Sequence, residues 1–319
     1  YWPRQNVDIQ NYVKSCQMCQ QTKPSKNTKI GLHSADVAKY PMQRLYIDFT
    51  GPIVRSKQGK TAILVCMDAF SKYITMYPVH KMNTITTIQA LQNNYFKHFG
   101  IPTQIVTDNA KTFTSLQFKN FCFEWGITHF TTSPYYPQPN QVERVNRNLK
   151  TALTIFHHKH KKDWDTNLTH FTIAFNSALH ESTKHIPSEI FLGRLLQHPL
   201  EVKWNITQYD LHEVTPLSHI QNKWKLALEQ LEKSKNKVKK QYNKDRSPNP
   251  FKIHDLVLYR IFPVSNKQKG ISAKLIPKWN GPLRIVQFST PVTAVLSLPE
   301  SDIPVRKEHI SHLKLFHTT

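Results

Sequence analysis

Acid is scarce in this sequence: its 319 residues carry 21 Asp and Glu against 43 Lys and Arg, a formal net charge of +22 and a sequence pI near 9.8. So large a surplus favours a polyanionic partner, because phosphates neutralised by Lys and Arg release their counterions, and nucleic acid is expected ahead of a membrane surface. Cysteine is scarce too. Four in a chain this long exclude a disulfide scaffold, and Cys66 and Cys122 sit alone in apolar runs where free thiols act as small hydrophobes, so a reducing compartment fits. No run approaches the ~20 consecutive apolar residues of a membrane helix, and Tyr1-Trp2-Pro3-Arg4 does not open a signal peptide, so a soluble protein is expected. No internal repeat is present, and no low-complexity tract beyond one lysine-rich stretch. What the chain does have is apolar surface: 39% hydrophobic residues with 17 Phe, 12 Tyr and 6 Trp exclude disorder throughout. At about 100–200 residues per domain, two or three domains are expected.

The charge is uneven, since residues 1–40, 41–200 and 201–319 carry +4, +8 and +10. From Pro41 to about Trp204, strand-like and helix-like runs alternate. Leu45–Thr50 reads as a strand stopped by Gly51-Pro52, and Thr61–Met67 and Tyr73–Val79 flank a turn at Asp68-Ala69-Phe70-Ser71. Thr84–Phe99 has helical spacing at Ile85, Ile88, Leu91, Tyr95 and Phe99 and ends at Gly100. Gln104–Thr107 is a short buried strand, Ser115–Trp125 a helix closed by Gly126, and Ile127–Thr132 another strand. After a Pro/Tyr/Gln loop, Asn140 can cap a long helix with Val142, Val145, Leu149, Ala152, Leu153 and Phe156 on its inner face. The order describes a mixed α/β domain.

Leu217 to Tyr242 places Leu217, Ile220, Trp224, Leu228, Leu231, Val238 and Tyr242 at three- and four-residue steps, an amphipathic helix. Its polar side holds Lys233, Lys235, Lys237, Lys239 and Lys240, either a DNA-binding face or a merely solvated one. From Phe251 on, the β-rich runs Asp255–Ile261, Leu283–Phe288 and Thr293–Leu298 are separated by Gly, Pro and Asn, and suggest a small antiparallel barrel.

Three acids can carry chemistry. Asp48 lies near a strand end between Ile47 and Phe49, which must face inward, so its carboxylate projects from the other face. Asp108 follows the Ile105-Val106 strand, and Glu143 lies in the first turn of the long helix. Paired divalent ions acting on phosphodiesters need such hard oxygen ligands. Each acid has a structural alternative: Asp108-Asn109 can initiate a turn, and Glu143 can complete a capping box with Asn140. Asp48 is harder to explain structurally, since an acid in an apolar strand is costly without a partner. Asp68, at a hairpin turn, reads as structural.

Together with the strings Leu45 to Pro52, Asp68 to Tyr73, Val106 to Asn109 and Pro137 to Arg147, these acids resemble the catalytic core of retroviral-type integrases, closest to those of gypsy-type long-terminal-repeat retrotransposons. The likeness continues through Asn176-Ser177-Ala178, Thr183, Pro187 and Phe191, and resumes at Trp279 to Ile285 and His309 to Lys314. It implies an α/β fold: a ribonuclease-H-like core with a mixed five-stranded sheet and flanking helices, plus a basic helix and a small C-terminal β-barrel, SH3-like or chromo-like. The implied segments are 1–40 as a remnant of a zinc-binding domain and linker, 41–205 as the core, 206–250 as a basic helical linker and 251–319 as the barrel. The resemblance makes Asp48, Asp108 and Glu143 the catalytic, Mg²⁺- or Mn²⁺-binding residues of a polynucleotidyl transferase and endonuclease. It implies 3′-end processing of element DNA, then strand transfer into host DNA. Double-stranded DNA and further copies of the chain are the implied partners, with no membrane, and work in the nucleus after synthesis in the cytoplasm. Arg147, Lys150 and Thr154 follow Glu143 on roughly one helix face and would track the DNA backbone, or else solvate that face.

Three departures from the family pattern matter. Asn140-Gln141 is one residue shorter than the usual Asn-Gly-Gln before the catalytic Glu and lacks its glycine; Ala110 and His254 stand where the family commonly has glycine. None removes a ligand. The shortened loop leaves as alternative a domesticated or decayed integrase-derived DNA-binding protein without catalysis. A non-integrating nuclease of the same fold would have no use for the basic helix and barrel. Finally, Cys16-Gln17-Met18-Cys19 supplies two thiolates where tetrahedral zinc needs four ligands. In the family two upstream histidines complete the site. His33 falls in the linker and is not expected to serve, so Cys16 and Cys19 read as half of a zinc site, holding Zn²⁺ only where those histidines are present.

Overall fold

Helices α1 (Gln5–Ser15) and α2 (Gln17–Thr22) precede a meander of β1 (Arg44–Thr50), β2 (Ala62–Asp68) and β3 (Ile74–Val79). This computed structural model describes residues 1–23, 36–131, 141–157, 162–197, 201, 203–204, 217–244, 249–262 and 276–317. Asn83 starts α3 (Thr84–Ala90) by accepting the Thr86 N–H on its side chain at 2.8 Å. The helix then widens into a π-turn over Leu91–Phe96 and ends, after Lys97–Phe99, at Gly100 with φ of 87°. β4 (Gln104–Thr107), α4 (Lys111–Thr114), α5 (Leu116–Glu124) and β5 (Thr128–Thr131) follow, with Ser115 capping α5 and Gly126, at φ of 65°, turning the chain back. Then come α6 (Gln141–His157), α7 (Leu168–Ser177), α8 (Pro187–Leu192) and α9 (Leu217–Asn243). The last part is all β: β6 (Leu256–Arg260), β7 (Trp279–Thr290), β8 (Thr293–Ser297), β9 (Pro304–His309) and β10 (Leu313–Leu315).

The chain forms two compact units, residues 35–236 and residues 1–34 together with 237–319. In the first, the sheet order is β3-β2-β1-β4-β5; β1, β2 and β3 pair antiparallel, while β4 pairs parallel with both β1 and β5. β2 is buried along its whole length because helices cover both faces. Leu45 and Ile47 face one layer with Leu91, Tyr95, Phe96, Phe118 and Phe121. On the other face Ile63, Val65 and Met67 meet Val145, Leu149 and Leu153 of α6 and Leu168 of α7. The exposed edge of β3 is closed by a side chain: Asn176 Nδ2 donates to Ile74 O at 2.7 Å, and Ile74 N–H donates to Asn176 Oδ1 at 2.8 Å. The β2–β3 turn is organised by buried Asp68, which accepts from the N–H groups of Met42, Phe70 and Ser71 and from the Ser71 hydroxyl. Those donors offset the cost of burying a carboxylate.

The helix expected over Thr84–Phe99 forms, but Ile85 is exposed and Thr87, Ala90, Leu91, Tyr95 and Phe96 are buried. The π-turn inserts a residue into the repeat and rotates the inner stripe, so one 3.6-residue period cannot describe both halves. Among the described side chains of α9 those buried are Ala227 and Leu231, packed with Phe70 and Ile190, while Trp224 donates Nε1–H to Ile190 O at 2.9 Å. Val238 lies outside that stripe, exposed.

In the second unit the antiparallel strand order is β10-β6-β7-β8-β9, around Val257, Leu283, Ile285, Leu296, Ile310 and Leu313. A single turn of 3₁₀ helix, Ile310–His312, joins β9 to β10. His254 adopts φ of 75°, so this departure from glycine falls where the backbone is left-handed. The same unit ties distant parts of the chain together. Gln20 on α2 donates from Nε2 to His317 O and accepts the His317 N–H, both at 2.9 Å, and Lys314 Nζ donates to Gln20 O at 2.6 Å.

Candidate functional site

Strands β1 and β4 run parallel with Arg44 opposite Gln104, Leu45 opposite Ile105 and Tyr46 opposite Val106. Asp48 and Asp108 each stand two residues beyond the last of these pairs. Side chains alternate along a strand, so this register sets both acids at one height and on one face, at the carboxyl ends of adjacent strands. That face is the one under α6, because Ile47 and Phe49 pack into the opposite layer, where Phe49 stacks on Phe113 at 5.6 Å between ring centroids.

Both acids are half-buried and held. Asp48 Oδ1 accepts the Phe49 N–H at 2.7 Å, and Oδ2 accepts from Asn146 Nδ2 at 2.8 Å. Asp108 Oδ1 accepts the Ala110 N–H at 3.0 Å. Ala110 has φ of −60°, so replacing the family's glycine strains nothing here. Behind Asp108, buried Thr107 donates its hydroxyl to Asp108 O at 2.9 Å. A carbonyl only accepts, so the Thr107 oxygen must receive its bond from His129 Nε2, 2.9 Å away. Burial, then the charge of Lys119, holds the His129 pKa below its ordinary value.

Glu143 lies in the first turn of α6, one turn before Asn146, and α6 packs on β1 and β2 through Val145, Leu149 and Leu153. The described residues include this backbone but not the Glu143 side chain; Asn140 and the shortened string before Gln141 lie outside them. Among the described residues no cluster of three His, Cys, Asp or Glu side chains converges. The oxygen chemistry nonetheless fits a hard divalent cation. Asn146 is buried, and its Oδ1 has no hydrogen-bond partner among the described residues, so a neutral oxygen donor stands beside the Asp48 carboxylate. Sequence reading gave Asn146, Thr107 and His129 no role. Only the three-residue step from Glu143 to Asn146 hinted that the latter shares its helix face.

Arg147 and Lys150 are exposed on α6. The Thr154 hydroxyl turns back to Lys150 O at 2.8 Å, which spends its proton within the helix. On α9, Lys233, Lys237, Lys239 and Lys240 are exposed, whereas Lys235 is half-buried with its Nζ 3.6 Å from Asp36 Oδ1. Cys16 is the N-cap of α2 and Cys19 lies in its first turn. The backbone N–H and then the thiol of Cys19 pull the Cys16 pKa below its ordinary value, as suits a pair of thiolate ligands. His33 lies outside the described residues.

Residues 38–137 match the family described as the integrase core domain, and residues 1–25 match the integrase zinc binding domain. The Tf2-3 and Tf2-4 transposon polyproteins of Schizosaccharomyces pombe are each 28% identical over 323 residues, covering 99% of this chain. The chain spans about a quarter, 24%, of the length of these curated relatives. The simian T-cell lymphotropic virus intasome in complex with PP2A regulatory subunit B56 gamma is similar over 97% of this chain and 90% of the matched one, at 19% identity and a TM-score of 0.55. At that identity the likeness is one of fold. The HTLV-2 integrase catalytic core in complex with magnesium matches over 48% of this chain and 97% of its own, at 23% identity and a TM-score of 0.40.

Proposed function

The chain carries an integrase core domain and an integrase zinc-binding domain, and from that premise we propose that it is the integrase of a gypsy-type retrotransposon. On this reading it is a polynucleotidyl transferase that trims the 3′ ends of element DNA and joins them to host DNA in the nucleus. The observation that carries the reading is the register of β1 and β4, which brings two acids 60 positions apart in sequence to one height and one face below the helix bearing Glu143. Asp48, Asp108 and Glu143 would hold Mg²⁺ or Mn²⁺. When bound, a pair of such ions activates the attacking oxygen and steadies the leaving one.

The chain's own residues supply geometry. Asn146 fixes the rotation of the Asp48 carboxylate, and the Thr107–His129 pair fixes the backbone that carries Asp108. Arg147 and Lys150 present charge for phosphates on the same helix as Glu143, and the α9 lysines bind backbone without reading bases. Several copies would act on two DNA ends. Zinc would be held by Cys16 and Cys19 together with two further ligands.

The test is a strand-transfer assay with Mg²⁺, labelled element-end DNA and a plasmid target. Joining by the wild type and none by Asp48→Asn supports the reading. DNA binding without joining by the wild type, at any divalent ion tried, would instead indicate the non-catalytic descendant.

A further inference from the structure

The β1–β2 turn lies at the same end of the sheet as the two acids, because β1 enters it two residues after Asp48. β3 ends opposite the start of β2, with Val79 paired to Ala62, so His80 emerges there too. The turn is braced. Buried Ser56 donates its hydroxyl to Asp165 Oδ2 at 2.6 Å, accepts the Lys60 N–H on Oγ at 3.0 Å, and donates its own N–H to Lys60 O at 2.9 Å. Trp164 Nε1 anchors the preceding residues by donating to Val54 O at 2.8 Å. Gly59 makes the reversal at φ of 79°.

Three basic side chains gather over that glycine. A Cβ on Gly59 would lie 3.4 Å from Arg55 Nη2 and 3.6 Å from His80 Nδ1, so both groups close on its bare Cα. His80 Nδ1 is 3.2 Å from Gly59 O, which only accepts, so this nitrogen carries the proton. The other nitrogen, Nε2, accepts from Lys60 Nζ at 3.0 Å. His80 is therefore a strut that aims the Lys60 ammonium. Among the described residues no carboxylate pairs with Arg55 or Lys60, whereas Lys57 on the same turn is matched by Asp163 at 2.9 Å. Two cations held on a braced turn without a counter-charge are arranged for an anion, and a guanidinium fork beside a point ammonium suits phosphate.

We propose that Arg55 and Lys60, aligned by Gly59 and His80, form a site for the phosphodiester backbone of the DNA on the β1–β2 side of the acids. The inference rests on the DNA-joining reading and adds a phosphate site separate from α6 and α9. Such a site positions duplex without reading its sequence.

The experiment is the salt dependence of duplex binding by the full chain, read by fluorescence anisotropy. The double variant Arg55→Gln/Lys60→Gln should bind more weakly and lose up to about 1.8 in log–log slope, about 0.9 for each phosphate left unneutralised. Each single variant should lose about half of that, and either carries the test if the double variant fails to fold. Lys57→Gln, whose cation is already matched, should leave the slope unchanged. An unchanged slope in folded Arg55 and Lys60 variants overturns the site while leaving the DNA-joining reading intact. Equal flattening by Lys57→Gln reduces the effect to net charge and also overturns it. A wild type with no salt-dependent DNA binding sinks both.

Discussion

Asn146 donates its amide to Asp48 Oδ2 at 2.8 Å while its own carbonyl oxygen is buried without a hydrogen-bond partner among the described residues. The side chain thus grips one acid and offers a further oxygen beside it. Asn146→Ala should leave the melting temperature nearly unchanged but cut joining by about 10–100-fold, the usual effect of losing a group that orients a metal ligand. It should also raise the Mg²⁺ concentration needed for half-maximal activity. A Mg²⁺ titration of strand transfer checks this; an unchanged midpoint would reduce Asn146 to packing.

Asp48→Asn, Asp108→Asn and Glu143→Gln should each abolish 3′ processing and strand transfer with the fold retained, because an amide cannot neutralise a divalent ion. Groups serving one metal pair act as a unit, so double variants should be no worse than single ones. Near-normal joining by any one folded variant would remove that residue from the set.

The lysines of α9 should not contribute equally. Replacing Lys233, Lys237, Lys239 or Lys240 with Gln should flatten the salt dependence of DNA binding by up to about 0.9 in log–log slope for each phosphate that is no longer neutralised. Lys235→Gln should do less, since Asp36 already lies 3.6 Å from its ammonium. Equal effects across the five would show that Asp36 does not compete with DNA.

His254 holds φ of 75° while its N–H donates to Ile285 O at 2.8 Å. A left-handed non-glycine residue costs about 1–2 kcal/mol, against about 0.5–1 kcal/mol of entropy that a glycine loses on folding. His254→Gly should therefore stabilise the barrel by about 0.5–1 kcal/mol, seen as a higher denaturant midpoint for its unfolding. A lower midpoint would mean that the imidazole has a packing role.

The barrel should weaken in acid. Burial, more than the neighbouring His312, pushes the His309 pKa down to about 4 from an ordinary 6.5. The unfolded chain then takes up that proton first, and stability falls as the pH drops from about 6.5 towards 4. Glu308 adds to the loss below the ordinary carboxylate range. Burial pushes its pKa up, but hydrogen bonds from His312 and Arg306 outweigh this and hold it down. His309→Asn can still accept the Ser311 N–H and should flatten the upper part of the profile, as measured by thermal melts from about pH 7 to 4.

The strands β1 to β4 and the ends of α5 were legible because each is punctuated: Gly51-Pro52 stops the first strand, Ser115 caps α5, and Gly126 turns the chain back. The acids of β1 and β4 could be picked out as polar residues at the ends of apolar runs. The bonds that orient them could not, because Asn146 reaches Asp48 across 98 positions and His129 reaches Thr107 across 22. Neither pair leaves a local signal. The π-turn hid the true inner face of α3, and β9 escaped notice because Pro304–Lys307 are exposed and show no apolar alternation.

Gln20 and His317 exchange two hydrogen bonds across 297 positions of chain. During synthesis the helix bearing Gln20, and with it the Cys16 and Cys19 thiols, leaves the ribosome long before its barrel partner exists. At about 5–20 residues per second, that wait lasts from roughly fifteen seconds to a minute. Through that interval Gln20 stands without the partners that His317 and Lys314 later supply, and the cysteine pair rides on a helix whose anchors to the barrel are the last to form.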